Sequence, residues 1–212
     1  MSRVLVFVAL LLSLYSCSSS KVAKTDKGWI SLFDGKSFDG WQINENPGTF
    51  KIENGAIVVN GPRAHMFYEG PAQDHNFKNF EFKAMVMTTP GSNSGIFIHT
   101  QFQAGGWPSK GYEIQVNNSH TDWRRTASVY SFQDVREVFV KDDEWYEMDI
   151  KVIDKTVTVS VNGKVINEYT EPASFDEARI KSGKILSSGT FALQGHDPKS
   201  KVYYKDIKVK VL

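Results

Sequence analysis

The segment Gly111-Tyr-Glu-Ile-Gln-Val-Asn117 places one carboxylate and two carboxamides at alternate positions: Glu113, Gln115 and Asn117. Side chains two apart on an extended chain point the same way, so these three form a polar row above an apolar layer of Tyr112, Ile114 and Val116. An acid flanked by groups that both donate and accept hydrogen bonds suits a hydroxyl-rich ligand. An ordinary solvated sheet face is the competing reading of the same residues. Upstream, Gly95-Ile-Phe-Ile-His-Thr-Gln101 alternates in the same manner, predicting a strand on which Phe97, His99 and Gln101 share a side. Hydrolysis of an ordinary glycoside uses two carboxyl groups flanking the bond. The Glu113 strand offers no second acid at a neighbouring outward position; another could arrive from elsewhere in the fold, such as Asp122 or Asp197, but the local pattern does not resemble a two-carboxylate site.

Other residues extend the list of hydroxyl and ring binders. Asn93 and Gln194 are further carboxamides, although Asn93, close to Pro90-Gly91, equally suits a turn. Trp107 and Trp123 occupy loop-like stretches and can stack on a sugar ring or pack at a rim. Lys110, just before the Glu113 strand, and Arg124-Arg125 offer positive charge to an anionic intermediate or a substrate carboxylate; a solvated basic loop is the plainer account of the arginines. Arg63 and His65 precede an apparent strand at Met66–Tyr68 and are candidates to line the same groove.

The elements that must hold these groups are strands. Phe80–Met87 alternates with Phe80, Phe82, Ala84 and Val86 inward; Tyr146–Val152, Thr156–Val161 and Val202–Val211 behave alike. Asn54-Gly55, Pro90-Gly91, Asn162-Gly163 and Ser188-Gly189 separate them, and Asn162-Gly163 predicts a tight hairpin. Helix signals reduce to Ser174-Phe-Asp-Glu177, with capping-box spacing and room for one or two turns before Ser182-Gly183. Many short strands around one core predict an all-β, two-sheet jelly-roll sandwich.

The chain opens with one arginine, a short apolar run and Leu14-Tyr-Ser-Cys17, a pattern similar to the lipobox of bacterial lipoproteins. It predicts a signal over residues 1–16, lipidation of Cys17 and a polar tether over 17–27, leaving a single domain over 28–212. Ser18 is not the aspartate that resembles an inner-membrane retention signal, so the expected location is the cell envelope at the outer membrane, with the membrane touched only through the anchor; the periplasmic or surface side stays open. Cys17 is the only cysteine, so the mature domain has neither disulfide nor thiolate nucleophile. Loss of Arg3 with the signal leaves 24 basic against 24 acidic residues, which gives nucleic acid no electrostatic reason to bind.

Four motifs then coincide in order: Leu32-Phe-Asp-Gly-Lys-Ser-Phe-Asp-Gly-Trp41, Asn93-Ser-Gly-Ile-Phe97, Gly111-Tyr-Glu-Ile-Gln115, and Phe191-Ala-Leu-Gln-Gly-His-Asp197 with Val202-Tyr-Tyr-Lys-Asp-Ile207. Together they resemble the 3-keto-disaccharide hydrolase family over nearly the whole mature chain. The resemblance departs at His99, where many relatives carry Arg, and at Lys205-Asp206, where they carry Arg-Asn. It implies a concanavalin A-like jelly roll acting on glycosides already oxidised at C3 by a partner oxidoreductase. A 3-ketone acidifies the C2 hydrogen and leaves the C1 substituent β to the carbonyl, so one base, one acid and an electrophile suffice for elimination followed by hydration. Of five histidines, His99 and His196 lie in the family-like motifs, and Glu113, His99 and His196 are expected to converge. Two arrangements are open: one divalent metal ion on those three side chains, or their direct action as base and acid. A carbohydrate-binding envelope lipoprotein without turnover is the alternative function.

Overall fold

A computed structural model describes residues 28–212; the expected signal, Cys17 and the tether lie outside the described residues. The strands in chain order are β1 (Trp29–Ser31), β2 (Trp41–Ile43), β3 (Phe50–Glu53), β4 (Ala56–Val59), β5 (Ala64–Tyr68), β6 (Phe80–Thr88) and β7 (Ser94–Thr100). They continue as β8 (Tyr112–Val116), β9 (Tyr146–Ile153), β10 (Thr156–Val161), β11 (Lys164–Thr170), β12 (Thr190–Gly195) and β13 (Val202–Val211), with a short helix α1 (Glu177–Ser182).

Local chemistry explains the joints. Asn54-Gly55 and Asn162-Gly163 both adopt positive φ, as a tight hairpin turn requires, and join β3 to β4 and β10 to β11. The helix is capped by Asp176, whose side chain accepts from the Arg179 amide at 2.7 Å; the capping position expected at Ser174 is therefore shifted by two residues.

Two antiparallel sheets form the sandwich. The larger has eight strands in the order β11-β10-β9-β6-β13-β4-β3, with β1 pairing beside β4 along the length of β13. The smaller has five, in the order β2-β5-β12-β7-β8. Their inner faces enclose one core, in which Phe80 and Phe82 meet Phe191 at 4.9 and 4.8 Å between ring centres. Burying such a ring contributes roughly 1.5–3 kcal/mol, so a few aromatic contacts hold the two sheets together. Phe80, Phe82, Ala84 and Val86 point inward, as do Tyr112, Ile114 and Val116. The outer face of the five-stranded sheet is therefore where the Glu113 row emerges.

Candidate active site

Register across the smaller sheet builds the site row by row. One row runs Phe67–Ala192–Phe97–Glu113, each residue opposite the next on β5, β12, β7 and β8. Phe67, Ala192 and Phe97 form a small apolar cluster of their own, apart from the main core. The adjoining row places His65 opposite Gln194 and Gly95 opposite Gln115, and Gln194 follows Leu193, whose partner is Ile96. An apolar shelf thus lies beside a polar one, the arrangement a pyranose with one hydrophobic face and a hydroxyl rim would meet. Above these rows is a groove of about 460 Å3, walled by Trp107, Tyr130, Lys184 and His196.

Glu113 is at the groove floor. Gln194 Nε2 donates to its Oε1 at 2.7 Å, and the Gln115 amide, oriented to satisfy both its ends, donates to the same oxygen at 3.1 Å and to the Ser94 carbonyl. A Cβ at residue 95 would lie 2.5 Å from Oε1 and 2.8 Å from Cγ, so only glycine there lets the carboxylate lie against β7. Burial pushes the Glu113 carboxyl up to about 7 from an ordinary 4.5, with the Gln194 amide and the charge of Lys184 opposing the rise. The result is a carboxyl poised for proton transfer near neutrality.

From the segment after β12, His196 lines the groove and Asp197 backs it. His196 Nδ1 donates to Asp197 Oδ2 at 2.7 Å, and Ser200 Oγ donates to the same oxygen at 2.8 Å. Burial works to raise Asp197, but the His196 ring, the Ser200 hydroxyl and the Lys199 amide outweigh it and hold the carboxyl at about 2. A fixed anion behind Nδ1 orients the imidazole and leaves Nε2 for a ligand. His120 stands 5.5 Å away, ring to ring, and ligand atoms of His120, His196 and Asp197 lie within 4.8 Å of one another. Two imidazoles and a carboxylate suit a divalent transition metal, so among the described residues this group, and not Glu113 with His99 and His196, gathers side chains able to hold one.

His99 is the clear correction. Phe97 and Thr100 on β7 face Ala192 and Thr190 on β12, so three steps on one strand oppose two on the other: a β-bulge. His99 takes the left-handed conformation with φ of 51°, and strict alternation fails at this residue. Its ring enters the space between the sheets, 5.5 Å from Phe80. There Nε2 donates to the Lys78 carbonyl at 2.9 Å and Nδ1 accepts from the Ser187 amide at 3.2 Å. Burial lowers its pKa, consistent with a neutral ring. Glycines 111 and 189 flank the bulge; a Cβ on either would approach the His99 carbonyl carbon to 2.8 or 2.7 Å. The structure does not bring His99 to Glu113.

The other predicted residues divide. Asn93, Gln115 and Gln194 line the groove with Glu113 and His196. Asn117 is buried and holds the following loop, donating to the carbonyls of Asp122 and Arg124 at 2.9 and 2.7 Å. Lys110 reaches Gln101 at 2.7 Å, and both lie outside the groove. Arg136 and Arg124 stack on the Trp123 ring at 3.9 and 4.7 Å, and the residue, still 39% exposed, lies outside the groove. Arg63 is paired to Glu45 at 3.0 Å and sits 5.6 Å behind the Trp107 ring, backing the groove wall without lining it.

Lys184, His120 and Tyr130 are groove or near-groove residues that pattern alone does not mark. His120 and Tyr130 come from the irregular loop that follows β8 and Lys184 from the segment after α1, and no local spacing signals their arrival. Burial lowers the pKa of Lys184 while Glu113 raises it; its Nζ donates to the Pro108 carbonyl at 2.8 Å.

Comparison with known proteins agrees with this architecture. A 3-keto-disaccharide hydrolase of Bacteroides thetaiotaomicron is 29% identical, covering 87% of this chain and 79% of that protein. A crystal structure from Parabacteroides distasonis, assigned provisionally as a glycosyl hydrolase, superposes with a TM-score of 0.72 at 24% identity, covering 87% of this chain and 94% of the other. A carbohydrate-binding module from Bacillus subtilis shares the fold at a TM-score of 0.57 and 9% identity, covering 81% of this chain and 95% of the module. The family model of the 3-keto-alpha-glucoside-1,2-lyase-like domain matches residues 28–210, and this chain belongs to that family.

Proposed function

We propose that the protein cleaves glycosidic bonds of 3-keto-glycosides by removing the C2 proton and expelling the C1 substituent, water being added back afterwards. The single observation that carries this reading is Glu113: a lone carboxyl in the groove, raised to about 7 by burial, without the paired carboxylate of ordinary glycoside hydrolysis on its strand. With the ketone acidifying C2–H, Glu113 accepts that proton and Lys184 offsets the negative charge that develops on the ketone oxygen. His196, held by Asp197, delivers a proton to the departing C1 oxygen. Gln115, Asn93 and Gln194 meet hydroxyls along the groove, and Phe97 supports the apolar face of the ring. The substrate reaches the protein after another enzyme has oxidised C3.

The reading is tested by incubating purified protein with a 3-keto disaccharide and following released sugar. Glu113→Gln should reduce kcat by about 10²–10⁴-fold, the span associated with loss of a positioned base. Full activity in that variant, or recovery of the sugar intact with wild-type protein, would remove Glu113 from this role; intact recovery of a bound sugar would support a carbohydrate-binding protein without turnover.

A second reading of the same reaction follows from the His120–His196–Asp197 group. If a divalent ion is resident, these three side chains hold it, and it supplies polarisation of the ketone oxygen. Chelation followed by dialysis separates the two: retained turnover supports the His196–Asp197 pair acting alone, whereas loss restored by added metal supports the metal-bound form. We also propose that the protein is lipidated at Cys17 and held at the outer membrane. Cys17→Ser should move it from the membrane pellet to the soluble fraction; unchanged partition would overturn the anchor.

A further inference from the structure

The polar row does not end at the groove. His65 lies on β5 directly opposite Gln194, is fully buried, and neither ring nitrogen has a hydrogen-bond partner. Gln194 spends its Nε2 on Glu113, and its buried Oε1 is also without a partner. Buried polar atoms are almost always satisfied, so three unmet atoms on two facing side chains point to a ligand that completes them. Their inventory is specific. Gln194 Oε1 requires a donor, and a neutral imidazole offers one donor and one acceptor, a set that a pair of neighbouring hydroxyls would fill.

The cover over His65 is Trp107. Its indole meets the His65 ring edge-on at 5.4 Å and the His196 ring at 5.6 Å, yet the residue is 46% exposed. Around Trp107 the loop is held through side chains: Asn44 donates to the Gln103 carbonyl, the Gly106 amide to Glu45, Gln103 to the Trp107 carbonyl and Lys184 to the Pro108 carbonyl, and the backbone bond from the Gly111 amide to the Gly183 carbonyl comes only at its end. Side-chain tethers without a strand ladder let a loop shift while the sheet beneath stays fixed. From His65 on β5 to Gln115 on β8 the row crosses three strand spacings, roughly 14 Å, which is longer than one pyranose ring.

We propose that the groove continues beneath Trp107 as a second pyranose subsite for the leaving sugar of a disaccharide. In it, vicinal hydroxyls bond Gln194 Oε1 and the His65 imidazole, and the displaced indole stacks on the sugar ring. This rests on the reading of the groove as a glycoside site, and it makes His65 and Trp107 determinants of the leaving group, with Glu113 and His196 serving the oxidised sugar.

Two probes test it, a 3-keto disaccharide and the matching 3-keto methyl glycoside, which lacks the second ring. Wild-type protein should show a higher kcat/KM on the disaccharide. His65→Phe, which keeps an aromatic ring beside Phe67 and Phe97, should lose about tenfold more kcat/KM on the disaccharide than on the methyl glycoside, mainly through KM. An independent measurement needs no variant: long-range proton–nitrogen spectra of histidine-labelled wild type should show the His65 ring nitrogens shifting on titration with the disaccharide. Cleavage of both glycosides with equal kcat/KM and unmoved His65 signals would overturn the subsite while leaving the proposed reaction standing. Cleavage of neither, with His65 signals still moving, would overturn the reaction and support the subsite. Neither cleavage nor a shift would overturn both.

Discussion

Glu113 shows what a single residue contributes when its surroundings set its proton affinity. A base working near neutrality must be ionised, so kcat/KM on a 3-keto disaccharide should rise with pH through an apparent pKa near 7 and level off above it. A profile flat from pH 5 to about 8 would exclude this carboxyl as the base. The same shift bears on stability with a definite sign. The folded-state value of about 7 lies above the ordinary 4.5, so between those values the folded protein binds a proton the unfolded chain does not. That stabilisation is full below 4.5 and is lost as pH rises through 7. Glu113→Gln removes the titration, so the variant should gain in Tm relative to wild type across that window and keep the gain above it. Glu113 and Gln115 are legible because strand alternation puts them on one face, whereas Gln194, on another strand, is legible only as a carboxamide able to bind hydroxyls. His196 was legible as a candidate, but its partner Asp197 and neighbour His120 become a group only when loops from two chain regions meet.

At the scale of an element, the strands and hairpins are readable because period-two alternation and Asn-Gly turns survive folding unchanged. The exception is β7. A bulge adds one residue, and here it is a histidine, with no glycine at the extra position to announce it. Counting by twos therefore sends His99 to the wrong side of the sheet. Its neighbours Gly111 and Gly189 record the bulge, but as crowding that appears only in three dimensions. Two substitutions on the same strand should consequently part ways. His99→Leu leaves the Lys78 carbonyl and the Ser187 amide unpaired, which should cost roughly 1–3 kcal/mol of stability while kcat is retained. Gly95→Ala presses a methyl group against the Glu113 carboxylate, and that displacement should lower kcat by about 10²-fold with a smaller change in denaturation midpoint. Urea denaturation and steady-state kinetics on both variants distinguish the framework role from the site role.

Across the whole molecule, charge is spread in compensated pairs. The outer face of the larger sheet holds Lys83 within 3.0–3.4 Å of Asp149, Glu147 and Glu81, and the groove region balances Glu113 against Lys184 and Glu45 against Arg63. The full chain carries a formal charge of +1. A protein so balanced generates little long-range field, and an uncharged keto-sugar would feel little of it in any case. Groups in the groove act over distances shorter than the screening length at physiological salt, where added ions have least effect. Raising ionic strength from about 0.05 to about 0.5 M should therefore change kcat/KM on a neutral 3-keto disaccharide by less than about twofold. A steep fall over that range would mean that capture depends on substrate charge. That would favour a sugar acid, its carboxylate drawn to Lys184, over the neutral glycoside for which the carboxamide row is suited.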